Sequence, residues 1–151
     1  MKKALVLYHS QQHGNTGKMA EAVADGLKSM ECNVTLHNAN EMRYPIENYP
    51  EYDCVAFGTP DYFSYIAGTM KTFMDDWYLH RNEPGYQGKP YAVFYTHGGG
   101  GRVKEALSLF SRVGKQVGKS VESFRTPDIS VLDECRALGV ELAKASRYRL
   151  L

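Results

Sequence analysis

Apolar residues recur along this chain with two different periods, and the alternation between them lays out a fold. Residues 4–8, 54–57 and 91–95 are continuous apolar runs, the pattern of strands covered on both faces and therefore of the centre of a parallel sheet. Val34-Thr35-Leu36-His37 and Val121-Glu122-Ser123-Phe124 mix apolar with polar positions, as strands at the margins of a sheet do. Between these runs the apolar positions return every three or four residues: Met19, Val23, Leu27 and Met30; Ile66, Met70, Phe73, Met74 and Trp77; Val103, Leu107, Phe110 and Val117; Leu132, Cys135, Leu138 and Leu142. Each set predicts an amphipathic helix with one face on the core, so burial is the expected role of Trp77. Ser130 with Asp133 predicts a capping box for the last helix, and Gly26, inside the first, costs about 1 kcal/mol relative to alanine.

Strands alternating with helices predict a three-layer α/β/α sandwich around a five-stranded parallel sheet with right-handed crossovers. With the two mixed strands at the edges, the strand order is 2-1-3-4-5. That order places a switch point between the first and third strands, and a ligand is expected across their carboxyl ends.

Composition narrows the class without naming a ligand. The 151 residues, 43% of them hydrophobic, are expected to form one domain with one core, spanning residues 1–151. The 18 basic and 17 acidic residues leave a net charge of +1 and are dispersed, which argues against nucleic acid or a membrane surface as a partner. Met1-Lys2-Lys3 precedes an apolar stretch too short for a signal peptide, so the expected location is cytoplasmic. Cys32, Cys54 and Cys135 are odd in number and lack a C-x-x-C pairing, which fits reduced thiols packed in a core.

The candidate chemistry lies in three loops at the switch point. The first strand runs into Ser10-Gln11-Gln12-His13-Gly14-Asn15-Thr16 and directly on into a helix, whose unpaired amides and partial positive charge suit an anion. It is neither a P-loop, since Gln12 stands five before Gly17 and Met19 follows Lys18, nor a dinucleotide fingerprint, since Gly14-Asn15-Thr16-Gly17 has the wrong spacing. Such a loop suits a terminal phosphate bound by neutral donors. The second loop, Thr59-Pro60-Asp61-Tyr62-Phe63-Ser64-Tyr65, carries three aromatics that suit a flat ring, or that pack on the following helix. The third, Thr96-His97-Gly98-Gly99-Gly100-Gly101, lets backbone amides approach a ligand, or forms a turn into a helix. His9 and His13 lack a third partner for a metal, and His37 and His80 stand alone as surface or packing residues.

At these positions the chain resembles the flavodoxin-like superfamily, over residues 3–119. The matching pieces are Ser10-x-x-x-Gly14-Asn15-Thr16-x-x-Met19-Ala20, Tyr52-Asp53-x-x-x-x-Gly58-Thr59-Pro60-x-Tyr62 and Gly68-x-Met70-Lys71-x-Phe73-x-Asp75. The resemblance implies FMN, with its phosphate on Ser10 through Thr16 and its ring against the loop from Thr59 to Tyr65 and the loop from His97 to Gly101, which Thr96 opens. The flavin then supplies the redox chemistry and no side-chain catalytic acid is required. His97 is a candidate for a partial cation beside the ring that favours the reduced anion, or it faces solvent. Two redox roles stay open: an electron carrier serving a partner protein, favoured by the short connections, and an NAD(P)H-dependent quinone or flavin reductase, favoured by the glycine-lined third loop. A binding module without redox chemistry is the remaining alternative, and the oligomeric state is left open.

Overall fold

The computed structural model describes residues 1–11 and 14–149. Its strands are β1 (Lys3–Tyr8), β2 (Asn33–Asn38), β3 (Cys54–Pro60), β4 (Lys89–His97), β5 (Gly114–Gln116) and β6 (Val121–Phe124), and its α-helices are α1 (Asn15–Ser29), α2 (Gly68–His80) and α3 (Ile129–Arg149). All strand pairs are parallel, in the order β2-β1-β3-β4-β5, with β6 also on β4. The expected fold is therefore present: a parallel sheet with the predicted order and helices on both sides.

One position differs from the five-strand expectation. The place beside β4 is shared by two short strands, β5 pairing Lys89 through Tyr91 and β6 pairing Phe94 through His97. Between them Gly118 turns the chain at φ 69°, and Gln116 donates a side-chain hydrogen bond to Ser120 Oγ at 3.1 Å across the interruption. Val117, expected on a helix, lies in this interruption; the helix before it is a 3-10 segment, Arg102–Val113. A second 3-10 segment, Ile46–Glu51, leads into β3.

The sheet's alternation sorts the core into two layers. Leu5, Leu7, Val55, Phe57, Val93 and Tyr95 pack with Met70, Phe73, Trp77 and Phe110 on one face, while Ala4, Val6, Cys54, Ala56, Ala92 and Phe94 pack with Met19, Val23, Leu27 and Leu142 on the other. Trp77 is buried as expected and donates its indole N–H to the Tyr86 carbonyl at 2.8 Å. All three cysteines are buried, and burial pushes the Cys135 thiol up to about 12. The small residues of the second layer allow α1 and α3 to approach closely: a Cβ on Gly26 would fall 2.1 Å from the Arg136 carbonyl oxygen, and one on Gly139 would fall 2.2 Å from that of Val23. Gly26 is thus a crossing point rather than an idle helix breaker. The last helix is capped by Asp128, whose Oδ1 accepts from Val131 N at 2.9 Å, two residues before the Ser130 that the sequence pattern favoured.

Candidate functional site

The carboxyl ends of β1, β3 and β4 carry the three loops, and β6 ends beside them. The first loop is held from several sides. The Ser10 amide donates to Asn38 Oδ1 at 3.0 Å, the Asn38 side chain returns a bond to the Ser10 carbonyl at 3.1 Å, and Ser10 Oγ accepts from the Gly17 amide at 3.0 Å. Ser10 therefore caps the first turn of α1 from the strand before it, in the absence of a capping side chain at Gly14, which is left-handed at φ 70°. In that turn Thr16 is buried, and its hydroxyl lies 2.8 Å from the hydroxyl of Thr96 at the end of β4. The start of α1 is thereby fixed against the switch point.

The second loop makes a two-residue turn. Tyr62 and Tyr65 exchange backbone hydrogen bonds of 3.0 and 3.1 Å around Phe63 and Ser64, both left-handed at φ 56° and 64°. This is the geometry that asparagine and glycine normally supply, and it costs a phenylalanine and a serine about 1–2 kcal/mol each. Phe63 is nevertheless fully exposed at the apex. Thr59, below the turn, is fully buried, its hydroxyl accepting from the Ala67 amide at 3.0 Å and donating to the Pro60 carbonyl at 2.8 Å. Tyr62 meets His9 edge to face, the ring centroids 5.5 Å apart. His9 is buried with Nδ1 2.7 Å from Thr69 Oγ1, and desolvation holds its pKa below the ordinary imidazole value against an opposing hydrogen bond to Gln11.

In the third loop Gly100 and Gly101 are left-handed at φ 80° and 62°, and Gly101 leads into the 3-10 segment. A Cβ on Gly101 would sit 3.0 Å from Glu122 and 3.1 Å from His97, whereas Gly98, Gly99 and Gly100 face open space. His97 does not face solvent: its side chain is 9% exposed and its Nε2 lies 2.8 Å from Glu122 Oε2. Among the described residues, His37 and His80 have local partners, His37 Nε2 at the Met42 carbonyl and His80 Nδ1 at Glu83, each near 2.7–2.8 Å.

Of the residues expected from the sequence, the structure gathers Gln11, Asn15, Thr16, Pro60, Asp61, Tyr62, Thr96, His97 and Gly98 around one cleft of about 580 Å³. Ser10, Gly14, Thr59, Phe63, Ser64, Tyr65, Gly99, Gly100 and Gly101 belong to the same loops but do not line it; Gln12 and His13 lie outside the described residues. Arg125 and Thr126 line the cleft and were not anticipated. Their signal in the sequence is only positional, a polar pair after the last strand, on the same sheet end as the other loops. Arg125 is left-handed at φ 61° and donates its amide to the His97 carbonyl at 2.8 Å.

Two side-chain atoms in the cleft walls, Asn15 Oδ1 and His97 Nδ1, are buried without a hydrogen-bond partner among the described residues. A buried polar atom left unpaired costs about 1–3 kcal/mol, so these walls are better suited to a polar ligand than to none. The set offers the start of α1 to an anion and, in Tyr62, His97 and Gly98, aromatic and backbone surfaces to a flat ring.

A family model described as flavodoxin matches residues 6–134 of the chain. The structure is similar to that of a flavodoxin from the domain Archaea, with 25% identity and a TM-score of 0.79 over 96% of this chain and 99% of that one. It is similar in fold to oxidised flavodoxin 1 from Bacillus cereus, with 19% identity and a TM-score of 0.79 over 95% of this chain and 98% of that one. It is also similar in fold to rubredoxin oxygen:oxidoreductase from Desulfovibrio gigas, with 17% identity and a TM-score of 0.85; the match takes in 99% of this chain but 37% of that one.

Proposed function

This chain belongs to the flavodoxin family, and we propose that it carries electrons between partner proteins through FMN held in the cleft at the switch point. Proteins of this family bind FMN, and the chain is accordingly an FMN-binding redox protein. The observation that carries the finer reading is the cleft: its walls leave Asn15 Oδ1 and His97 Nδ1 buried and unpaired among the described residues, while Phe63, Gly98, Gly99, Gly100 and Arg125 around it are all exposed. A slot with polar walls and an uncovered rim holds a ring while leaving its edge within reach of another protein, which a carrier needs.

In this reading Gln11, Asn15, Thr16 and the first amides of α1 hold the phosphate, and Tyr62, His97 and Gly98 flank the ring. The bound FMN supplies electron uptake and release. The chain's own residues set the environment for it. The loop from Ser10 to Thr16 offers neutral donors and no cation ahead of Lys18, so the positive charge that faces the cofactor comes from the start of α1 and from Arg125 in the cleft wall. Glu122 accepts from or pairs with His97 Nε2 and so fixes the imidazole plane at the cleft wall.

The test is purification followed by anaerobic reduction. The expected protein is yellow, releases FMN in acid, passes electrons once reduced to a protein acceptor such as cytochrome c, and consumes NAD(P)H no faster with a quinone than without it. Sustained NAD(P)H:quinone turnover would make it a reductase instead, and a colourless protein that takes up no FMN would remove the reading altogether.

A further inference from the structure

Asp61 makes a set of contacts that its place at a loop start does not require. Its Oδ1 accepts from the Ser64 amide at 2.8 Å, inside the left-handed turn, and its Oδ2 accepts from the Val103 amide at 3.0 Å, in the first turn of the 3-10 segment that follows the glycines. Its own amide donates to the Thr96 carbonyl at 2.9 Å, at the end of β4. One residue thus ties the second loop, the last residues of β4 and the exit of the third loop together, and it does so from the wall of the cleft.

We infer that Asp61 is a positioning residue that locks the Tyr62–Tyr65 turn to the segment after the glycine loop and so fixes the width of the slot between them. Two features of the structure support this. The turn it holds is costly, because Phe63 and Ser64 are both left-handed and Phe63 gains no burial in return. A turn of that kind persists only when its surroundings over-determine it, and a carboxylate accepting a backbone amide is one of the stronger restraints a side chain can apply. The second feature is that both carboxylate oxygens are engaged at once by amides from different loops, so neither loop can shift without loosening its bond to the other. Glycine is the residue that would relieve the turn without Asp61, and the chain does not use it at 63 or 64.

The inference rests on the FMN reading above, and the experiment separates the two. Amide hydrogen exchange is measured on the cofactor-free protein for the parent, Asp61→Asn and Asp61→Ala, and FMN affinity is then measured for each by fluorescence titration. Asp61→Ala is expected to speed exchange at both Ser64 and Val103 about tenfold or more while the amides of β1 and β3 keep their rates. Asp61→Asn keeps one acceptor oxygen and is expected to release one of the two amides, with an intermediate loss of affinity. FMN affinity is expected to fall about tenfold in Asp61→Ala, and Ser64→Gly, by easing the turn, is expected to recover part of that loss in the same background, while the unchanged exchange of β1 and β3 separates a local release from general destabilisation. Unchanged exchange at either amide in Asp61→Ala overturns the lock. Release of both amides with unchanged affinity, or no recovery from Ser64→Gly, overturns the positioning role. If Asp61→Ala does not fold, Asp61→Asn decides alone: exchange unchanged at both amides overturns the inference, and release of one with weaker FMN binding supports it. A parent protein that takes up no FMN sinks the functional reading before any variant is made, while the exchange rates still report the lock.

Discussion

At the scale of single residues, two side chains near the cleft make opposite demands on stability and on function. Asn15 leaves a carbonyl oxygen buried without a partner among the described residues, a cost to the empty fold. Asn15→Ala is therefore expected to leave thermal stability of the cofactor-free protein unchanged or slightly higher while weakening FMN binding about tenfold, the loss of one hydrogen bond. Melting and fluorescence titration of the same two samples check both halves; equal FMN affinity would place the cofactor elsewhere. His9 acts through pH. Burial lowers its folded pKa below 6.5, so between that lowered value and about 6.5 the unfolded chain binds more protons than the folded one. Its contribution to stability is complete above pH 6.5 and declines as pH falls through that window. In urea titrations His9→Gln is expected to flatten the stability profile below pH 6.5, and an unaltered slope would mean that His9 is solvated in the native state.

At the scale of elements, the crossing of α1 and α3 weighs propensity against packing. Gly26→Ala gains about 1 kcal/mol of helix propensity, yet its methyl would lie 2.1 Å from the Arg136 carbonyl oxygen. Backbone on the facing side cannot swing away like a flexible side chain, so the helices must separate. Overpacking of this kind costs about 1–3 kcal/mol and more when backbone moves, and a net loss of about 2 kcal/mol is expected in denaturant unfolding. A stabilised Gly26→Ala would contradict the close crossing. The same elements show what the sequence carries. The central strands are legible because a strand buried on both faces has no polar position to disguise it, as in Val55-Ala56-Phe57. Strand β5 is not, since Gly114-Lys115-Gln116 has no apolar pattern and exists through pairing to β4. Asp128 and Ser130 are both good caps, and where the chain leaves β6 decides between them. Within the cleft, Gln11, Asn15, Thr16 and Gly98 lie on loops that residue types single out in the sequence, whereas Arg125 and Thr126 could not be read there, because what brings them to the cleft is their tertiary position beside His97.

At the scale of the whole molecule, binding couples to stability. If FMN binds the folded chain alone, an excess of one hundred times its dissociation constant adds about 2.7 kcal/mol to unfolding, and the melting temperature is expected to climb with FMN concentration. Riboflavin, which lacks the phosphate, is expected to shift it less, since the start of α1 then holds nothing. The near-neutral net charge of +1 gives long-range steering little to act on, so contact at the exposed rim of the cleft, around Phe63, Gly98 and Arg125, carries recognition of partners in this account. Among the described residues no helix is long and apolar enough to cross a membrane. The most direct test of the central claim is a titration of the cofactor-free protein with FMN followed through its backbone amide resonances. One-to-one binding is expected, with shifts concentrated at Gln11, Asn15, Thr16, Tyr62, His97, Gly98, Arg125 and Thr126. Shifts centred away from the carboxyl ends of β1, β3 and β4, or no shifts at all, would contradict it.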